Sequence, residues 1–143
     1  MIQLVRIQDA LPDGFEALRA EADAEGFRAM SRLAAEWTTT PQMFVCLLAA
    51  PDGLGGLSGI GGLTTEPEPA DEPALRMRRL YVRPAARRAG VGRTLVNALL
   101  QEALDAVPLV TVNAGGTIAP AFWTGIDFRP VTDRPWTHEF RRG

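Results

Sequence analysis

The stretch LYVRPAARRAGVGRTLVNALLQEALDA, residues 80–106, decides the fold. It runs from an alternating apolar end, through paired arginines and a Gly-x-Gly, into an amphipathic segment. Leu95, Val96, Leu99, Leu100, Ala103 and Leu104 share one broad face of a helix from about Val91 to Ala106, and Pro108 ends it. ALRMRRLYV (74–82) before it alternates as a strand, and LVTVN (109–113) after it is a short buried strand. Together they make a β-α-β crossover whose two strands are parallel neighbours. A helix start leaves its first amides without partners and carries partial positive charge, so an anion fits there. Gly90 and Gly92 remove side chains that would keep a ligand oxygen away, and Arg87, Arg88 and Arg93 add charge suited to phosphate. The pattern points to a polyphosphate, although the same glycines could simply make a tight turn. Leu95 stands where a dinucleotide fingerprint needs its third glycine.

Outward from this stretch the remaining elements fall into order. IQLVRI (2–7) alternates as an opening strand. Asp13 with Glu16 three residues on has capping-box spacing, and Phe15, Leu18 and Ala22 follow at helical intervals. Phe27, Met30, Leu33, Ala34 and Trp37 suggest a second helix, stopped by TTTP. MFVCLLAA, PDGLGG and LSGIGGLT read as an antiparallel hairpin in which Gly59, Gly61 and Gly62 interrupt a strand, as a bulge, a close backbone approach or simply a loosely packed strand beside a loop. After LVTVN come a short helix in APAFWTGI and closing strands in FRPV and WTHEF, where His138 reads as half-exposed. The fold class is mixed α/β: a mostly antiparallel sheet with flanking helices, in the order β-α-α-β-β-β-α-β-α-β-β. With 143 residues and no linker or repeat, one domain over 1–143 is expected.

Composition excludes several chemistries. All fifteen basic residues are arginine. Without lysine there is no P-loop Gly-Lys-Ser/Thr and no Schiff base for pyridoxal phosphate. One histidine and one cysteine make a His/Cys zinc site improbable, and no metal is expected. A net charge of −2 and a pI near 5.4 argue against nucleic acid as a partner. Nothing resembles a signal peptide or a membrane span, and Cys46 lies in an apolar run where a packed thiol is expected. A soluble protein of the reducing cytoplasm follows as the expectation. Charge is uneven, however. Arginines at 76, 78, 79, 83, 87, 88 and 93 follow the acidic run EPEPADEP (66–73), which reads as a solvated loop or as an acidic lip drawing a cationic amine.

LYVRPAARRAGVGRTLV resembles the acyl-CoA-binding motif of the GNAT superfamily of N-acyltransferases, Arg/Gln-x-x-Gly-x-Gly/Ala, which Arg87, Gly90 and Gly92 match. The L-Y-V strand end and the FW…DF segment are also similar to the family, over about residues 43–131. The resemblance implies acetyl-CoA as co-substrate. It implies that the loop of Arg87, Arg88, Ala89, Gly90, Val91, Gly92, Arg93 and Thr94 cradles the diphosphate, chiefly through main-chain amides from Arg88 to Arg93. It further implies that Leu80, Tyr81 and Val82 pair with the pantetheine arm, that their strand splays from LVTVN, and that Asn113, Phe122 and Trp123 contribute to the cofactor site. Asn113 could equally close its turn, and Tyr81 reads as a packing residue.

Acyl transfer to an amine needs a neutral amine, support for the oxyanion and a proton for the thiolate. An amine of pKa about 10.4 is mostly protonated at pH 7, a handicap of about 4 to 5 kcal/mol. Glu36, Glu66 and Glu72 are the candidate bases, unranked, and each could equally be a solvated charge. The family's usual acid is a tyrosine where this chain has Trp123, which cannot donate a phenolic proton. Asp127 replaces the family's glycine after that helix, and aspartate tolerates the left-handed turn. The expected activity is acetylation of a primary amine of a small cationic molecule by direct attack in a ternary complex. A protein amine as acceptor, or a non-catalytic acyl-CoA-binding module, are the alternatives. A homodimer is possible on the same resemblance.

Overall fold

The computed structural model describes residues 1–114 and 120–143. Its elements in chain order are β1 (Val5–Arg6), α1 (Phe15–Ala24), α2 (Ala29–Thr39), β2 (Phe44–Pro51), β3 (Leu57–Thr65), β4 (Ala74–Val82), α3 (Val91–Ala106), β5 (Leu109–Val112), α4 (Pro120–Gly125), β6 (Arg129–Pro130) and β7 (His138–Arg141). The strands form one sheet in the order β1-β2-β3-β4-β5-β7-β6. All neighbours are antiparallel except β4 and β5, which α3 joins as a parallel crossover. The element order expected from the sequence holds throughout.

Two details differ. The first strand shrinks to Val5–Arg6, although Ile7 still donates its amide to the Leu47 carbonyl. The capping box at the start of α1 does not form. Gly14 opens that helix in the left-handed region at φ 90°, and Glu16 turns instead to Arg19, at 2.5 Å. A Cβ on Gly14 would lie 2.8 Å from the Gly56 Cα, so the close pass of the β2–β3 loop selects glycine there.

The helices cover both faces of the sheet. On one, Leu95, Val96 and Leu99 of α3 and Trp123 of α4 pack on Leu63, Met77, Leu80, Val110 and Val112. On the other, Leu18 and Ala22 of α1 and Met30 and Leu33 of α2 pack on Leu47, Ile60 and Tyr81. Leu95 and Leu99 are fully buried, each worth about 1.5 to 3 kcal/mol. The alternation of β4 therefore sends Leu75 and Met77 toward α3 and their neighbours toward α2. Cys46 is buried, and burial pushes its thiol up to about 12. No helix among the described residues is long and apolar enough to cross a membrane.

Candidate active site

The start of α3 has no side-chain cap and no acid in its first turn. Gly90 precedes it at φ 87° and Arg88 takes φ 69°, two left-handed residues that bend the chain sharply from β4 into the helix. Thr94 donates its hydroxyl to the Gly90 carbonyl at 2.8 Å, so its side chain does not occupy the free amides. Arg88 and Arg93 are exposed and have no carboxylate partner among the described residues. Gly92 packs closely: a Cβ there would lie 3.5 Å from Val82 and 3.6 Å from Phe122. Val91 is buried beneath the loop, and Ala89 is exposed at its tip.

Arg87 does something else. Its guanidinium donates to the Val82 carbonyl at 2.9 Å and to both oxygens of Glu25 at 2.5 and 2.9 Å, and it lies over the Tyr81 ring. Tyr81 donates its own hydroxyl to Glu25 at 2.5 Å. Hydrogen bonds from Arg87 and Tyr81 hold the Glu25 carboxyl below its usual range, while burial and Glu25 push the Tyr81 hydroxyl well up. The charge expected of Arg87 toward a phosphate is thus neutralised. It clamps the loop to α1 and β4, and Arg83 with Glu21 adds a second tie at 3.1 Å. The Tyr81 side chain is a packing residue, as its place in the strand suggested.

Beyond the loop, β4 runs past the end of β5. Their ladder runs from Ala74↔Leu109 to Arg76↔Thr111, and β4 continues to Val82. Opposite β3 the register shifts between Ile60 and Gly62, placing both Arg79 and Leu80 against Gly61. Arg79 adopts φ 60°, which makes this a bulge. The extra residue is on β4, whereas the glycines of β3 serve close approach. A Cβ on Gly59 would meet the Tyr81 carbonyl at 2.9 Å, and one on Gly61 would meet Leu80 Cδ1 at 2.9 Å. Asn113 is exposed just past β5. Phe122 is half-buried, and Trp123 is buried between Phe122 and Phe128 with no acceptor for its indole N–H among the described residues. Asp127 takes φ 73°, the left-handed turn the sequence required of it.

The three candidate carboxylates separate. Glu36 grips Arg79 through both oxygens, at 2.8 and 2.6 Å. Glu66 is buried, bound by Arg76 at 2.9 Å and by the Thr111 hydroxyl. Both lie on the α2 face of β4, near the last rung of its ladder with β5. Glu72 does not join them. It precedes β4 and pairs with Arg141, whose register partner Leu109 marks the closed end of the ladder. The acidic lip is also largely neutralised, since Glu66, Asp71 and Glu72 all face arginines. His138 is buried rather than half-exposed, because β7 is paired on both sides, and its Nδ1 meets the Thr137 hydroxyl at 3.0 Å. No group of His, Cys, Asp and Glu among the described residues is placed to hold a metal ion.

Sequence reasoning missed Glu21, Glu25 and Thr111. Glu21 and Glu25 stand one helical turn apart, but their arginine partners lie 62 residues away, beyond any local pattern.

The model of the acetyltransferase (GNAT) family matches residues 8–126. The chain belongs to the GNAT acetyltransferase family. Solved GNAT structures share the fold at low identity. A protein from Exiguobacterium sp. 255-15, named only as a candidate acetyltransferase, superposes with a TM-score of 0.86 at 22% identity, covering 99% of this chain and 93% of that one. A GNAT-family N-acetyltransferase from Escherichia coli, in complex with CoA, gives 0.71 at 17%, covering 98% and 81%. A GNAT-family acetyltransferase from Brucella melitensis, in complex with acetyl-CoA, gives 0.69 at 13%, covering 100% and 97%. No curated protein matches the sequence. This chain has Gly90 and Gly92 at the start of α3 and Trp123 in α4.

Proposed function

We propose that this protein transfers an acetyl group from acetyl-CoA to the primary amine of a small molecule by direct attack. The observation that carries the reading is the uncapped start of α3, flanked by Arg88 and Arg93 with no carboxylate partner among the described residues, next to the stretch of β4 that runs past the end of β5. The residues fit the co-substrate: first-turn amides and exposed guanidiniums suit a diphosphate. The E. coli and B. melitensis proteins described with CoA and acetyl-CoA support the same reading.

Acetyl-CoA supplies the acyl group as an activated thioester. In this reading Arg88 to Thr94 bind and orient the diphosphate, with Val91 fixing the loop on the core. Leu80 to Val82 would align the arm along β4, and main-chain amides beside the bulge at Arg79 would supply donors for the carbonyl oxygen as charge builds there. The amine nitrogen forms the new C–N bond as the C–S bond breaks, and a proton lost by nitrogen ends on sulfur. Glu36 and Glu66 are the carboxylates beside this point, but each is already engaged by an arginine, and Trp123 brings no acid. Positioning therefore carries most of the rate, with water relaying the protons.

A thiol-release assay over a panel of primary amines, run beside calorimetric CoA binding, tests the reading. The expected result is turnover of at least one class of amine. Tight CoA binding with no thiol from any amine would instead favour a non-catalytic acyl-CoA-binding module, the reading to which Trp123 lends weight.

A further inference from the structure

The α2 face of β4 carries an arginine that no carboxylate among the described residues pairs with. Arg76 and Arg78 stand opposite Thr64 and Gly62 in the β3 register, two residues apart and so on one face. Arg79, thrown out by the bulge, reaches the same side to meet Glu36 of α2. Arg76 takes Glu66 and Arg79 takes Glu36, so both carboxylates are spent and Arg78 is left. Arg28, Arg32, Arg88, Arg93 and Arg142 also lack a carboxylate partner among the described residues, but all of them are exposed. Arg78 differs in being half-buried. Burial, then the charges of Arg79 and Arg76, press its guanidinium toward losing its proton, while Glu36 and Glu66 only partly offset them. Its register partner, Gly62, adds no side chain beside it, and a Cβ there would already touch Leu47 and Phe44.

We propose that Arg78 is the anchor for an acid group on the acceptor, so that the substrate is a small primary amine bearing a carboxylate. This rests on the acetyl-transfer reading above and names its substrate class. Three guanidiniums facing two carboxylates leave one positive charge in surplus, and a partly desolvated guanidinium is best satisfied by a bidentate anion. Arg78 stands between the last rung of the β4–β5 ladder, at Arg76, and the bulge, at Arg79. Strand spacing puts it about 7 Å along the chain from Arg76. A group held there keeps an amine a few bonds away within reach of the end of the β4–β5 ladder, which suits an amino acid better than a long polyamine. The same surplus of positive charge opposes the cationic acceptor expected from the acidic run.

Matched amines separate these outcomes in the thiol-release assay: free amino acids, their amides, aminoalkyl phosphates and diamines. An amide's amine is the weaker base and is more often neutral, so chemistry alone favours the amide. The expected result is the reverse, with kcat/KM at least 30-fold higher for acids than for their amides. Arg78→Gln should bring that ratio close to one, mainly by raising KM for the acid, with CoA affinity by calorimetry unchanged. Arg78→Lys should recover part of the ratio. Amides or diamines used as well as acids by the unaltered enzyme, or an Arg78→Gln enzyme that keeps the preference, would overturn the proposal and leave acetyl transfer standing. Preference for the aminoalkyl phosphate over the carboxylate would overturn the carboxylate assignment. No thiol from any amine would remove both.

Discussion

Replacing Gly90 by glutamate separates the electrostatic account of the α3 start from a merely conformational one. Gly90 sits at φ 87°, and a Cβ built on it meets only Ile2 Cδ1, at 3.7 Å. There is room for a side chain, so the cost to folding is the left-handed backbone, about 1 to 2 kcal/mol. For a chain of this length that is a fall in Tm of about 3 to 8 °C. The cost to CoA binding is larger. A carboxylate about 5 Å from a doubly charged diphosphate, at an effective dielectric of about 40, adds about 3 kcal/mol of repulsion, or roughly 100-fold in Kd. Asparagine at the same position is the control, because it tolerates the left-handed region and carries no charge. Calorimetric titration with CoA at low salt, alongside thermal unfolding, should show Gly90→Asn close to the unaltered protein and Gly90→Glu weakened about 100-fold. A Gly90→Glu protein that is folded and binds CoA within threefold of the unaltered affinity would refute the placement of the diphosphate. Equal losses for the two variants would refute the electrostatic part.

Gly59→Ala should destabilise more than Gly61→Ala in urea titrations, because the first Cβ meets the fixed Tyr81 carbonyl and the second meets the movable end of Leu80; about 1 to 3 kcal/mol is expected for the overpacking at Gly59. Glu25→Gln should cost about 1 kcal/mol at pH 7 and weaken CoA binding several-fold, since Arg87 and Tyr81 lose a shared carboxylate. The folded-state value of Glu25 is depressed, so its stabilisation is complete above the ordinary carboxylate range near 4.5 and disappears as pH falls through the depressed value; the stability gap between the two proteins should therefore be constant near neutrality and close below about pH 4.

The parts of this molecule that could be read from the sequence are those fixed by near neighbours. The period of Leu95, Leu99 and Ala103 defines α3, and Gly90 next to that helix defines the bend, because both depend on a few consecutive residues. The crossover order then dictates the parallel β4–β5 pair. What escaped the sequence depends on distant partners. Arg87 looks like a free phosphate ligand until Glu25 arrives from α1, and Glu36, Glu66 and Glu72 look alike until the fold gives each a different arginine. The bulge was legible only as a disturbance somewhere near Gly59 to Gly62, since a glycine run shows that two backbones approach but not which strand holds the extra residue. Asp13 and Glu16 had the spacing of a cap, yet Arg19 on the next turn offered Glu16 a stronger partner and Gly14 took the helix start.

Every cation that braces this structure, from Arg6 on Glu102 to Arg141 on Glu139, is a guanidinium. With a pKa above about 12, such a group stays protonated and is a poor nucleophile at neutral pH. A protein that houses a reactive thioester endangers its own side-chain amines, and this sequence presents none. Its supports are therefore chemically deaf to the acyl donor, and stray acylation would not erase their charges during prolonged turnover.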